Sequence, residues 1–346
     1  MTRARNTADT QTASGGPVSP SIAGKNPVIN GATEIWQRGT SVAVAASTPS
    51  YTADRWYYSN GANQASVISR QVTGDTTNLP NIQYCARVQR NSGQTGTGNT
   101  YFAQSFESVN SIPFTGQAVT LSFYARKGAN YSATSNILTV YFNYGTGTDQ
   151  NVISGYTGGA NVVVQNATLT ATWQRFTYTG TVPTTATELG LFFQTAPTGT
   201  AGVNDYYEVT GVQVELGSVA TPFSRAGGTI QGELAACQRY YVRWGGEALY
   251  NQIGIGIGAT GTIASMDVFC PVQMRVVPTA VDYSTLAIQD GTITTGSAVP
   301  AIVSAYSGTK TVGIDMTVAS GVAVNRPYRF LTNNSTSGFF GLSAEL

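Results

Sequence analysis

Apolar and polar side chains alternate over short runs that return about every dozen residues, and this pattern constrains the fold most. In VTLSFYARKG (119–128), Val119, Leu121 and Phe123 alternate with Thr120, Ser122 and Tyr124. ILTVYFNYG (137–145), NVVVQNATLTATWQRFTYTGTV (161–182), ELGLFFQT (188–195) and YYEVTGVQVELG (206–217) repeat the theme. A period of two sends successive side chains to opposite faces of a strand. The runs are rich in β-branched and aromatic residues and are bounded by Gly, Asn, Pro or Thr, as in antiparallel strands with one face in a core. Their spacing argues for a sandwich or jelly roll rather than βαβ units. The stretches NSGQTGTGNT (91–100) and GTGTDQNVISGYTGGAN (145–161) read as exposed loops.

The same patterning divides the chain. Residues 1–26 are small, polar and interrupted by Pro17 and Pro20. They cannot bury enough apolar surface to offset their ordering entropy alone, and they read as an arm that docks on a partner. Residues 27–226 form a first β-sandwich. In 227–244, Leu234, Cys237 and Tyr241 fall on one face of a short helix, read as a junction. In residues 245–346 the β runs resume: NQIGIGIGATGTIASMDVFCPVQM (251–274), AIQDGTIT (287–294), TVGIDMTV (311–318), YRFLTN (328–333) and FFGLSAEL (339–346). The expected fold is all-β: two antiparallel, jelly-roll-like β-sandwich domains with a polar N-terminal arm and one short linking helix.

Composition removes several function classes. Charged residues make up 10% of the 346, against about a quarter in an average soluble domain, and the net charge is +1. Such a balance offers no field for nucleic acid or an anionic membrane, and no apolar run is long enough for membrane insertion. Histidine is absent, which removes Ser-His-Asp and Cys-His hydrolase arrangements and histidine metal sites together. Cys85, Cys237 and Cys270 are too few and too scattered for a disulfide framework or a zinc site, and are expected as free thiols. Arg3 and Arg5 are not followed by an apolar stretch, so the start does not read as a secretory signal.

No cofactor or metal is expected. Gly256-x-Gly258-x-x-Gly261, with Asp282 beyond it, matches the dinucleotide fingerprint in letters only. The phosphate site needs a helix after the glycines, whereas TIASMDVF alternates as a strand. The Gly/Ile alternation fits a strand with one face crowded by another backbone. Glu107, Asp205, Glu208 and Glu215 are the carboxylates that a glycoside hydrolase would draw on. Glu34, Asp54, Asp205 and Glu208 are oxygen donors that calcium would use, without calcium-loop spacing.

Tyr57, Tyr58, Tyr101, Tyr131, Tyr144 and Tyr156 sit in or beside polar segments. A tyrosine offers a flat apolar face with a polar tip, which suits a sugar ring. Tyr101, Tyr131, Tyr144 and Tyr156 are the candidate glycan-binding residues. Trp36, Trp56 and Trp173 lie inside patterned runs and read as core. Arg38, Arg55 and Arg175 neighbour them and are expected to stack on them or to pair with Glu34 or Asp54.

NPVINGATEIWQRGTS (26–41) followed by YTADRWYY (51–58) resembles a module of tailed-phage tail fibre and virion appendage proteins. TGQAVTLSFYARKG (115–128), ATWQRFTYTGTV (171–182), VTGVQVELGSVATPFSR (209–225) and GELAACQRYYVRW (232–244) continue the match in order. The resemblance implies a jelly roll like that of carbohydrate-binding modules, no catalytic residues, and a homotrimer. Its implied partners are other virion proteins, through residues 1–26, and a host cell-surface glycan. It implies a protein assembled in the host cytoplasm and carried on the virion. The function expected from it is a non-catalytic tail fibre or adhesin. The alternatives are a capsid-decorating or head-fibre protein, and a polysaccharide depolymerase using paired carboxylates. Residues 245–346 carry no resemblance and are read as a receptor-binding tip.

Overall fold

A computed structural model of the chain describes residues 25–291 and 294–346. The chain separates into two compact units, one reaching Leu234 and including Leu346, the other running from Ala235 to Glu345. Residues 1–24 of the expected docking arm lie outside the described residues.

The first unit has twelve strands: β1 Ser41–Val44, β2 Ser50–Tyr51, β3 Tyr57–Ser59, β4 Ser66–Val72, β5 Tyr84–Arg90, β6 Thr100–Ser105, β7 Ala118–Lys127, β8 Ile137–Gly145, β9 Ala160–Thr168, β10 Gln174–Thr181, β11 Glu188–Thr195 and β12 Tyr206–Leu216. They form two antiparallel sheets, β1-β4-β5-β12-β7-β10 and β2-β3-β6-β11-β8-β9. From β5 onward the chain alternates between sheets, apart from the β8-β9 hairpin, so that β5-β12-β7-β10 faces β6-β11-β8-β9. That order is a jelly roll. The expected alternation positions the core: Val119, Leu121, Phe123 and Ala125 of β7 all point inward and are buried. Trp56 stacks on Phe102 with ring centroids 4.6 Å apart. The long run 161–182 is two strands, β9 and β10, separated by a bend at 169–173.

The residues that carry the family resemblance hold this sandwich together. Asn30 takes a left-handed backbone conformation (φ 57°). Its side chain accepts from Ile35 N and donates to Ile35 O and Asp54 O, and its carbonyl receives the Trp56 indole N–H. Asp54 in turn accepts from Gln37 N at 2.8 Å. Asn26 bridges Val212 O, Ser224 O and Val214 N while itself fully buried, so the segment assigned to the arm by sequence joins the sandwich by residue 26.

Some of these residues also take partners that the sequence does not suggest. Trp36, Trp56 and Trp173 are buried, but Arg38 lies over Tyr51, Arg175 over Tyr124, and Arg55 donates to Ser105 O. The cation over Trp173 is Arg126 at 4.7 Å, and Glu34 is bound in a bidentate pair by Arg225. Arg175 meets Tyr124 directly across the β7-β10 ladder, and Arg225 reaches Glu34 from far along the chain.

The helix expected over 227–244 occupies Ile230–Gln238 only, and Tyr241–Gly245 is already a strand. Within the first unit it contributes more than a junction. Glu233 is buried and its carboxylate accepts the backbone N–H groups of Asn30 and of Gly227.

The second unit has ten strands: β13 Tyr241–Gly245, β14 Gln252–Gly258, β15 Ile263–Phe269, β16 Ala280–Ser284, β17 Leu286–Gln289, β18 Thr294–Gly296, β19 Val299–Ile302, β20 Thr311–Thr317, β21 Pro327–Thr332 and β22 Phe339–Ser343. A three-stranded sheet (β13-β22-β16) and a seven-stranded sheet (β18-β17-β21-β14-β15-β20-β19) share one core that includes Met266, Ile314, Phe330 and Phe340. The first two fingerprint glycines lie on β14 and Gly261 in the turn after it, and a Cβ at Gly256 would come within 1.9 Å of Ser265 O. The strand reading of that motif, with a backbone crowding one face, is what the structure contains. Cys85 and Cys237 are buried free thiols, and Cys270 is a half-buried one.

Candidate functional site

A strand cannot send two adjacent side chains to the same face. Four neighbouring strands of the second jelly-roll sheet each carry an adjacent aromatic pair: Tyr57-Tyr58 on β3, Tyr101-Phe102 on β6, Phe192-Phe193 on β11 and Tyr141-Phe142 on β8. Tyr58, Phe102, Phe193 and Phe142 point inward and are fully buried. Tyr57, Tyr101, Phe192 and Tyr141 therefore project from the outer face.

Register aligns them. Tyr57 pairs with Ala103, Ala103 with Phe192, Phe192 with Tyr141, and Tyr141 with Val164. This single row crosses five strands, about 19 Å at ~4.8 Å per strand. Tyr141 stacks on Phe192 at 4.5 Å and 16°, and Tyr101 meets Phe192 edge-on at 5.6 Å. Phe192 is largely covered by these rings and props them, while Tyr101 and Tyr141 stay half-exposed.

A parallel row, one step along the strands, runs Ser59, Tyr101, Gln194, Thr139 and Asn166. Thr139 donates to the Asn166 side-chain oxygen at 2.9 Å, and the half-exposed Gln194 amide makes no protein hydrogen bond among the described residues. The two rows carry no formal charge. They offer ring faces beside amides and hydroxyls, which recognise a polyhydroxylated ligand without the desolvation cost of ions.

The loop 146–159 builds a wall along one side. Glu188 accepts from Gly147 N (3.2 Å) and Gln150 N (2.9 Å), and Ser105 Oγ accepts from Val152 N at 2.9 Å. Val152, Ile153 and Tyr156 then pack on Ala103 and Phe192. This segment is not the wholly exposed loop that its composition indicates. The buried Asn143 side-chain oxygen beside the wall has no hydrogen-bond partner among the described residues.

Of the four tyrosines proposed from sequence, the structure places one on the open rows. Tyr101 lies there. Tyr156 belongs to the wall, where its hydroxyl donates to Leu189 O and burial pushes its pKa up. Tyr144 faces the main core, and Tyr131 is buried, its hydroxyl donating to Ile137 O. Tyr131 is therefore enclosed and the half-buried Tyr144 lies off the open rows, because polar flanking residues do not determine which way a ring points. Tyr58 is buried for the same reason. Tyr141, Phe192 and Gln194 were missed, although the adjacent aromatic letters required one outward ring per strand.

The proposed acid/base carboxylates are committed elsewhere. Asp205 pairs with Arg90 at 2.7 Å with both side chains buried. Glu208 is fully buried between Arg87 and Arg126, at 2.6 Å and 2.5 Å. Glu215 binds Lys25 at 2.9 Å and accepts from Thr221 and Gln213. Desolvation pushes the Glu215 pKa up, but these hydrogen bonds outweigh it and hold the carboxyl below its ordinary range. Glu107 is buried at the start of the short helix Ser108–Ser111. Among the described residues there is no group of three or more Asp, Glu or Cys placed to hold a metal ion. No helix among the described residues is long and apolar enough to cross a membrane.

The jelly roll with an open, aromatic-lined sheet is the class of fold that this chain defines. No family model matches the chain, and no curated protein matches it. Similar solved structures include a CBM4 carbohydrate-binding module at 22% identity and TM-score 0.28, covering 38% of this chain and 71% of that one. The enzymatically active domain of tailspike protein 4 from bacteriophage CBA120 matches at 12% identity and TM-score 0.33, covering 58% of this chain and 24% of that one. A family 16 carbohydrate-binding module matches at 9% identity and TM-score 0.28, covering 42% and 84%. These similarities are partial, and the jelly-roll assignment stands on the strand order.

Proposed function

We propose that this chain is a non-catalytic polysaccharide-binding protein carried on a phage particle as a tail fibre or adhesin, and that it binds through the outer face of β6-β11-β8. The observation that carries the binding face is the pair of uncharged rows, Tyr57–Ala103–Phe192–Tyr141 beside Tyr101–Gln194–Thr139. Support for the virion setting is the ordered run of motifs between residues 26 and 244. The burial and pairing of Asp205, Glu208 and Glu215 favour binding over the depolymerase alternative.

The test is adsorption. Purified full chain at saturating concentration should block attachment of the phage that carries it, and Tyr141→Ala should not. Blocking by wild type and variant alike would sink the proposed face. No blocking, with the protein labelled on the capsid and adsorption unchanged after its deletion, would favour the capsid-decorating alternative. Each shallow site is weak, and several copies on one particle would multiply avidity by about 10²–10⁴.

A further inference from the structure

The outer face of the seven-stranded sheet in the second unit carries an arrangement with no part in the jelly-roll site. On β14, Ile255 and Ile257 point to solvent, 57% and 53% exposed. Ile255 is in register with Asp267 of β15 on one side and with Arg329 of β21 on the other. The carboxylate and the guanidinium are both exposed, and neither has a protein partner among the described residues. Two strand spacings, about 10 Å, hold them too far apart to neutralise each other.

This row forms the floor of a cleft of about 600 Å³ lined also by Gln289, Asp290 and Pro327. A second hollow of about 330 Å³ adjoins it across Ile257 and Asp267. There Asp315 accepts from Ser265 Oγ at 2.6 Å, and Tyr306, 78% exposed, packs its backbone and Cβ against Gly313. Gly313 fits that position because a Cβ would stand 3.1 Å from Tyr306 Cβ.

A ligand for this cleft must donate hydrogen bonds at Asp267 and Asp315, present an apolar face to Ile255 and Ile257, and accept hydrogen bonds at Arg329. A pyranose ring has all three: hydroxyls that donate and accept around its rim, and a C–H face between them. An anion would meet Asp267 and Asp315, a cation would meet Arg329, and Asp290 at the edge is paired with Arg326 at 3.2 Å. We infer that the second unit carries its own saccharide-binding cleft over β15-β14-β21, for a neutral sugar of one or two rings, separate from the jelly-roll face and independent of it.

Amide NMR on the full chain tests this site by site. Maltose, lactose and N,N′-diacetylchitobiose are titrated singly into wild type, Asp267→Ala, Arg329→Ala and Tyr141→Ala. At least one disaccharide should shift the amides of Ile255, Ser265, Asp267 and Arg329 in wild type and in Tyr141→Ala alike. Asp267→Ala and Arg329→Ala should each weaken that binding about tenfold or more, with the melting temperature unchanged. Shifts confined to β6, β8 and β11 would leave the jelly-roll reading standing and overturn this one. Shifts at the cleft that persist in both cleft variants, or no shifts with any of the three sugars, would also overturn it. So would a mass that rises with concentration in wild type and not in Ile255→Ser, because the face would then be an interface between copies.

Discussion

The two outer faces of the jelly roll come from sheets of the same size and the same alternation, yet they have opposite fates. Outside β5-β12-β7, Thr120, Ser122, Glu208, Thr210, Gln213 and Glu215 are all buried. Residues around 26–36, 73–82 and 218–225 fold over them, and Ala32, Leu79, Ile82, Cys85 and Trp173 make a small second core. Ion pairs on this face are locked: Glu208 takes hydrogen bonds from both Arg87 and Arg126, whose guanidiniums lie over Tyr206 and Trp173. Outside β6-β11-β8 the rows hold rings, amides and hydroxyls, and among the described residues the 146–159 loop packs along one side of them. On the covered face, charge is satisfied internally. On the open face, the proposed binding surface, uncharged polar groups stand beside rings.

The largest expected effect is on the covered face. Glu208→Ala would leave two guanidiniums side by side without their shared carboxylate. Breaking a buried pair costs about 3–5 kcal/mol, and the low end applies because each arginine keeps 26% of its side chain exposed. Urea unfolding should show a loss of about 3 kcal/mol in the jelly-roll transition. A loss under about 1 kcal/mol would mean that the face is merely crowded and not electrostatically locked.

On the open face the balance should invert. Tyr141→Ala removes a stacked, half-exposed ring, and its stability cost should be about 1 kcal/mol. Its effect on polysaccharide binding should be a tenfold loss or more, about 1.4 kcal/mol. Isothermal titration and thermal unfolding of the same variant separate the two. A large stability loss with unchanged binding would make the aromatic row a structural element like its covered counterpart.

How much of this contrast could be read from sequence depends on the residue. Period-two patterning places β8 at 137–145 and β11 at 188–195, the bounds the structure has, because alternation over eight or nine residues fixes a strand locally. It cannot say which face meets water, because coverage comes from distant segments such as 26–36 and 218–225. Phe192 in ELGLFFQT is therefore not singled out by the sequence, while Tyr131 and Tyr144, beside polar letters, read as surface. Glu208 and Glu215 read as available acids for the same reason: their partners Arg87, Arg126 and Lys25 are brought in across the sheet or from far along the chain. Asn30 lies inside the run 26–41 that carries the resemblance, but its work of carrying Trp56 depends on a bond 26 residues away.

Thiol chemistry reads coverage directly. Cys85 lies under the covering segments, where burial pushes its pKa up, and in the native state it should resist iodoacetamide at pH 8. A cysteine introduced by Gln194→Cys on the open rows should react at the rate of a small thiol. Rapid native labelling of Cys85 would mean that the 73–82 cover opens readily, weakening the contrast between the faces. Cys270 of the second unit, its pKa pushed up to about 11 by burial, should label slowly until strongly alkaline pH.

The smallest expected effect concerns acid. Glu215, on the covered face, is held below the usual glutamate value of 4.5 because the hydrogen bonds from Thr221, Lys25 and Gln213 outweigh its desolvation. The unfolded chain then binds the proton first as pH falls, so the stabilising contribution of this carboxylate is complete at neutral pH. It drains away below about 4.5 as pH passes through the lower folded value. Glu215→Gln lacks that contribution. The stability gap between wild type and variant should be widest at neutral pH and should narrow as pH falls below about 4.5. Substituting the uncharged Thr139 by Val on the open face should give a gap that does not change with pH. A Glu215→Gln gap that held constant down to pH 3 would show that the covered face draws nothing from the ionised form of this carboxylate, and that its burial there is a matter of shape and hydrogen bonding alone.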